Sequence, residues 1–289
     1  MPALVRALVA AAVLLVLVSG PASAEERMWI GFHDDPVLRY GDDRQAELDA
    51  VRAANATIVR TLVEWRTIAP KRPRSATNSF DAAYRFADLD EFVRNAQQRG
   101  MEVLMTIWGT PTWANGGKGP AYLPKQMRDF QNFTRALASR YSGSRPGYPF
   151  VRFYGIWNES NLGNFLAPQF NAKGKIVSPR AYAKLAAAGY AGIKAGSPRA
   201  LVAIGVTSAN GKDKRKAGAT DSTTPGTFAR LLAQANKRLK FDAWAQHPYP
   251  VPVSQGPGQR VRYPNVAFST LSRFDRDLDK WFGRKNIPI

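Results

Sequence analysis

Trp157-Asn158-Glu159-Ser160 sets an amide and a carboxylic acid side by side, directly after the apolar run Val151–Asn158. A carboxyl exposed at the end of a buried strand can protonate the leaving oxygen of a glycosidic bond. An adjacent amide can hydrogen-bond a sugar 2-hydroxyl and tighten that bond in the transition state. The same pair also suits an ordinary helix cap or surface acid. A second grouping is Gln246-His247-Pro248-Tyr249, again at the end of an apolar run. In an extended segment, residues two apart share a face, so His247 and Tyr249 point the same way. Arg60 lies inside a β-branched run, and His33 closes another. Trp108 and Trp113 flank Gly109-Thr110-Pro111-Thr112, a loop whose aromatics suit either stacking on sugar faces or simple core packing.

Other chemistries are excluded by counting. The 289 residues contain no Cys, which removes disulfides, thiolate metal sites and a Cys nucleophile. There are only two His, His33 and His247, too few for a His-rich metal cluster. No Gly-x-Ser-x-Gly elbow accompanies them.

These residues need elements to position them. Six β-rich runs stand out: Met28–His33, Thr57–Val63, Glu102–Trp108, Val151–Asn158, Leu201–Thr207 and Phe241–His247. Each has the length and apolar, β-branched or aromatic character of a buried parallel strand. Helical patterns separate them. Phe86, Leu89, Phe92, Val93 and Ala96 recur at helical spacing before Gly100, a C-cap candidate. Phe130, Phe133, Leu137 and Tyr141 do the same. Ser178-Pro179 reads as a cap and first position ahead of Tyr182, Leu185, Ala186 and Ile193. Thr227–Leu239 and Phe268–Phe282 complete the set.

Strand–helix alternation of this kind predicts a parallel α/β fold. A doubly wound sheet usually carries a Gly-rich turn after its first strand, and Gly31-Phe32-His33-Asp34-Asp35-Pro36 is not one. Polar and aromatic residues instead gather at strand C-termini, where a (β/α)8 barrel keeps its active site. The expected architecture is therefore a TIM barrel with about six strand–helix units. Strand starts near 57, 102, 151, 201 and 241 put a seventh near 287, so Arg284–Ile289 reads as its beginning. On that expectation the barrel is incomplete in this sequence.

Residues 1–24 read as a signal peptide: Arg6, an apolar stretch from Ala7 to Val18, and Ala22-Ser23-Ala24 before the cut. Residues 25–289 then form the barrel domain, exported and with no membrane segment of its own. The formal charge is +19, of which leader removal takes one. Such a charge fits an acidic glycan or an anionic cell surface, and equally a solubility role. The basic residues are scattered apart from Lys212-Asp213-Lys214-Arg215-Lys216, and no nucleic-acid-binding motif accompanies them. A non-catalytic carbohydrate- or polyanion-binding secreted protein is the competing reading.

Taken together, Asn158-Glu159, Ile58-Val59-Arg60, Trp65 with Ile68-Ala69-Pro70, Ile107–Trp113 and Gln246–Tyr249 resemble the clan A retaining glycoside hydrolases. The resemblance covers the cellulase-like and xylosidase-like families and runs from about Trp29 to the last residue. Gly109-Thr110-Pro111-x-Trp113 leans toward the xylosidase-like group. It implies a secreted enzyme acting on a poly- or oligosaccharide, without a cofactor. Glu159 is then the acid/base and Asn158 the 2-hydroxyl ligand. Arg60 lies near the nucleophile, Tyr249 touches it, and His247, Trp108 and Trp113 bind substrate; His33, read only from its place at the end of strand one, suits a sugar ligand or a structural histidine equally. The resemblance places the nucleophile at the end of strand seven, beyond Ile289, and so implies that this chain by itself is inactive. Glu64, Asp34 and Asp35 are the weaker substitutes, because they sit near strands one and two.

Overall fold

The computed structural model describes residues 28–249 and 256–289; the expected signal peptide lies outside the described residues. From Gly31 to Ile289 the chain forms one compact unit, and Met28–Ile30 belong to a separate N-terminal one. Six strands appear: β1 (Gly31–Phe32), β2 (Ile58–Glu64), β3 (Glu102–Trp108), β4 (Phe153–Ile156), β5 (Leu201–Ser208) and β6 (Ala243–His247). They hydrogen-bond in sequence order, every pair parallel. This is the strand order of a (β/α)8 barrel, present here as an incomplete barrel of six strands.

The helices are α1 (Asp35–Leu38), α2 (Arg44–Ala53), α3 (Trp65–Ile68), α4 (Ala87–Gln98), α5 (Thr112–Asn115), α6 (Met127–Arg140), α7 (Ser178–Gly196), α8 (Pro225–Ala235) and α9 (Phe268–Phe282). The apolar positions that predicted them are buried: Leu89, Phe92, Val93 and Ala96 on α4, Phe130, Phe133 and Leu137 on α6, Tyr182, Leu185 and Ile193 on α7. Gly100 follows α4 with φ of 70°, the left-handed geometry of a C-terminal cap.

Strand side chains alternate, and the alternation separates two environments. Val59, Val63, Val103, Met105, Tyr154, Ile156, Val202 and Ile204 are buried. They contribute to the main hydrophobic core with the helices. Arg60, Leu104, Gly155, Ala203 and Ala245 line the concave inner side instead. A barrel strand must satisfy both faces, which is why the runs mix large apolar residues with small and polar ones.

Several expected boundaries change, strands two, five and six by one or two residues and four others as follows. The first strand is two residues rather than Met28–His33, as befits an edge strand with one neighbour. The fourth ends at Ile156, because the chain turns out of the sheet before Asn158. Ser178 is the first residue of α7 and not its cap; its hydroxyl donates to Gln169 Oε1 at 2.7 Å. The helix expected over Thr227–Leu239 runs Pro225–Ala235, with proline in the first turn where its missing N–H costs nothing. Near the end of the chain, the Trp244 N–H donates to the Pro288 carbonyl at 2.8 Å, so these last residues lie alongside β6 as a next strand would.

Candidate active site

Glu159 and Asn158 sit just past the C-terminal end of β4, on a turn with unusual backbone. Trp157 has φ of 72° and Glu159 φ of 38°, left-handed values that non-glycine residues adopt at a cost. Such conformations persist only where the surroundings over-determine them. Here the Trp157 N–H donates to the Ile107 carbonyl at 2.8 Å and its indole to the Phe165 carbonyl at 2.7 Å. Ser160 Oγ donates to the Gly205 carbonyl at 2.6 Å, and Asn161 Nδ2 to the Thr223 carbonyl at 2.9 Å. Asn161 Oδ1 also accepts from the Ser208 N–H at 2.8 Å. The turn is thus bolted to β3 on one side and β5 on the other.

The anchor on β5 is itself distorted. Gly205 and Val206 have φ of 84° and 43°, and the β5–β6 register slips between Gly205 and Thr207. A Cβ at Gly205 would stand 2.4 Å from the Trp244 ring, so only glycine fits. Bulges of this kind re-aim side chains at barrel rims. After the slip, Ser208 pairs with His247, at the C-terminal end of β6.

That register meets the β4 turn. His247 Nδ1 lies 2.9 Å from Glu159 Oε1, with the two side chains only 13% and 15% exposed. Tyr249 stacks beside His247, ring centroids 5.6 Å apart and planes 17° from parallel. The shared orientation expected from their spacing is therefore realised, and both line the inner cavity. Burial, with the Glu159 charge added, raises the Tyr249 hydroxyl above its ordinary pKa, against a smaller opposing effect of Arg60. Tyr249 is a neutral hydroxyl across the physiological range.

On the other flank, Arg60 projects inward from β2. Its Nη2 donates to Asn158 Oδ1 at 2.7 Å and its Nε to Thr106 Oγ1 at 2.9 Å. Nη1 lies 3.0 Å from His33 Nδ1. Burial lowers the Arg60 pKa from its usual high value, and Tyr249, Asp35 and Glu159 offset part of that. The guanidinium is still a cation at any relevant pH. With its oxygen turned to Arg60, the Asn158 amide group is fixed in orientation. His33 in turn sits 3.5 Å from Asp35 Oδ2, which also accepts from the Leu62 N–H at 2.8 Å.

Glu159, His247, Tyr249, Asn158, Arg60 and His33 therefore form one connected constellation, drawn from strands β2 and β6 and from the residues just past β1, β4 and β6. His33, Arg60, His247 and Tyr249 line a cavity of about 590 Å³. The two tryptophans are placed differently. Trp108 donates to the Phe165 carbonyl at 3.2 Å, packs edge-on against Phe165 and carries Arg66 5.8 Å from its ring centre. Trp113 donates to the Ala69 carbonyl at 2.8 Å and meets Trp65 edge-to-face, with Arg72 4.5 Å over its ring. Neither lines the cavity, and Trp113 is tied into the packing around Trp65.

The alternative carboxylates are otherwise engaged. Glu64 accepts from Arg66 Nε at 2.9 Å and from Thr67 Oγ1 at 3.1 Å. Asp34 accepts from the Val37 N–H at the start of α1. The supporting residues Thr106, Ser160, Asn161, Gly205 and Asp35 were not legible as partners of the site. Only Asp35 carried a signal, its position two residues after His33.

No curated protein matches the sequence. The fold, however, is shared with solved glycosidases. A glucosidase from Croceicoccus marinus superposes with a TM-score of 0.60 at 15% identity, over 90% of this chain and 50% of that one. A monomeric β-xylosidase from Caulobacter crescentus CB15 does so at 0.56 and 18%, over 90% and 50%. A family 39 glycoside hydrolase from Bacteroides cellulosilyticus WH2 gives 0.52 and 19%, over 78% and 40%. The chain thus spans about half the length of these structures. The leaning of Gly109-Thr110-Pro111-x-Trp113 toward the xylosidase-like group is not what the family match gives. The family whose model matches is the cellulase one, over residues 24–288. That match covers nearly the whole chain: the chain belongs to the cellulase family, glycosyl hydrolase family 5.

Proposed function

We propose that this chain contributes the acid/base half of a secreted, retaining glycoside hydrolase, with Glu159 as the proton donor and acceptor. The observation that carries the reading is the Glu159–His247 contact at 2.9 Å, beside a cavity that Arg60 and Tyr249 also line. Glu159 protonates the glycosidic oxygen as the bond breaks and later deprotonates the incoming water. Asn158, held by Arg60, orients its amide N–H toward the 2-hydroxyl of the sugar. Tyr249 donates toward the nucleophile. His33 backs Arg60, while Trp108 and Trp113 shape the loop wall beyond the cavity.

Retention needs a second carboxyl about 5 Å from the first. Glu64, Asp34 and Asp35 are held by Arg66, the α1 N-terminus and His33 respectively, which supports a nucleophile on a seventh strand instead. In an enzyme carrying two further strand–helix units, Glu159→Gln should lower turnover of natural glycosides by about 10²–10⁴-fold. Aryl glycosides with good leaving groups, which need no proton, should lose far less in the glycosylation step. Near wild-type turnover of a natural glycoside would overturn the assignment. Residues 25–289 alone should give no turnover; activity equal to the extended enzyme would return the nucleophile to Glu64.

A further inference from the structure

The end of the sheet opposite Glu159 carries a second groove, of about 600 Å³. It is formed where three segments approach their strands: the C-terminal half of α4, the loop before β4, and Arg199 just before β5. Arg94, Arg145 and Arg199 line it, all exposed, and no acidic residue does. None of the three makes an ion pair among the described residues. Some arginines elsewhere in the fold are matched, as Arg39 is to Asp88, Arg44 to Glu91 and Arg99 to Asp49; what sets these three apart is that they share one groove with no acidic residue in its lining. Three unmatched guanidinium groups around one groove leave their fork-shaped donor sets open to an anion.

The floor is aromatic and rigidly supported. Phe150 lies beneath Arg199, whose guanidinium carbon is 4.5 Å from the ring centre. The Phe150 carbonyl accepts from Gln97 Nε2 at 2.7 Å. Gly143, with φ of 72°, lets Phe150 close in; a Cβ there would stand 2.9 Å from that of Phe150. Tyr148 packs on Arg140 at 4.4 Å, and Arg140 is clamped by both oxygens of buried Asp90. An aromatic wall fixed in advance loses little entropy on binding.

We infer that this groove is a non-catalytic binding site for a carboxylated polysaccharide, a polyuronate chain. The carboxylates pair with Arg94, Arg145 and Arg199, and the sugar rings pack along the edges of Phe150 and Tyr148, whose faces carry Arg199 and Arg140. Such a site anchors the molecule to an acidic glycan while leaving the Glu159 cavity free. It accounts for part of the +19 charge through specific residues rather than through bulk. The glycan-directed reading of the chain guides only the choice of polymer, and the test below does not use turnover.

The test is affinity electrophoresis of the purified chain through gels containing polygalacturonate, hydroxyethylcellulose or oligo-dT. Wild type should be retarded by polygalacturonate, less by oligo-dT and not by the neutral polymer. The triple variant Arg94→Gln/Arg145→Gln/Arg199→Gln should weaken polygalacturonate binding by at least about tenfold, as loss of charge-assisted pairs requires. Lys212→Gln/Lys214→Gln/Lys216→Gln removes the same charge elsewhere and should change it less than about twofold. Equal loss in both triples, or equal retardation by oligo-dT, would reduce the effect to net charge and overturn the site. Should the arginine triple fail to fold, phenylglyoxal labelling of wild type decides. Polygalacturonate should protect Arg94, Arg145 and Arg199 and leave exposed Arg128 reactive; no difference in protection among them would overturn it.

Discussion

Two carboxylates, Asp90 and Glu159, each meet a nitrogen base inside this fold, and their surroundings give them opposite characters. Asp90 receives Arg140 Nε at 2.7 Å and a second bond from Nη2, and it also accepts from the Tyr141 hydroxyl at 2.8 Å. Both partners are buried, and Arg140 is stacked on Phe80, Phe86 and Tyr148. Nothing in that arrangement has room to move or to bind. Glu159 makes one contact of 2.9 Å, to a histidine, from a strained backbone beside an open cavity. A bidentate, fully enclosed arginine pair specifies packing. A single contact to an imidazole beside a cavity leaves the second carboxylate oxygen available, as the proposed acid/base role requires. The difference follows the division of labour in a barrel, in which the strand C-termini carry chemistry and the opposite end carries stability.

The comparison can be broken most forcefully at Asp90. Asp90→Ala should cost about 3–5 kcal/mol by leaving the Arg140 charge buried without a partner. The urea midpoint measures this. Glu159→Gln should change the stability read from the same transition by less than about 1 kcal/mol, because the amide keeps the shape of the carboxyl and can still meet His247 beside the cavity. Midpoints that shift equally would erase the distinction between the two carboxylates.

A finer probe is Tyr249→Phe, which removes one hydroxyl from the cavity and leaves the ring on His247. In an enzyme completed by its remaining strands, turnover should fall on the order of a hundredfold, the lower end for one preorganised donor. The melting curve should be unchanged. A melting temperature that falls with turnover intact would make Tyr249 a packing residue instead.

The smallest effect concerns Asp35, which supports the Arg60 flank. Burial works against its charge, but His33, the Leu62 N–H and Thr61 outweigh it and hold the carboxyl below its ordinary value of 3.8. A depressed folded-state pKa adds stability above the unfolded value, and that contribution disappears as pH falls through the folded one. Wild type should therefore lose stability progressively below about pH 4, and Asp35→Asn should flatten this part of the acid limb. A limb of unchanged slope would place the acid sensitivity in other carboxylates.

How far the sequence was legible varied with the range of the interaction concerned. The α4, α6 and α9 patterns survive almost unaltered, since helical periodicity is local and each buried face meets the sheet in only one way. Strand four was misread at both ends. Val151 bonds back to Tyr141, and the chain leaves the sheet after Ile156, events set by partners distant in sequence. Trp113 shows the same limit for side chains. Its Gly-Pro context suited either a stacking platform or core packing, and contacts with Trp65 and the Ala69 carbonyl, from another strand–helix connection, tie it into the wall.

By itself the sequence determined the alternation of strands and helices, their parallel order, and the carboxyl, imidazole and phenol placed at strand ends. Those features depend on residue type and short spacing, and they carry the resemblance to the clan; membership of family 5 comes from the match over residues 24–288. Only the tertiary structure decided that Glu159 meets His247, that Arg60 holds Asn158, and that a bulge at Gly205 secures the turn between them. Each of these joins residues separated by 45 positions or more. Contacts of that range arise when the sheet curls and its register slips by one residue, and no local pattern encodes where that slip occurs.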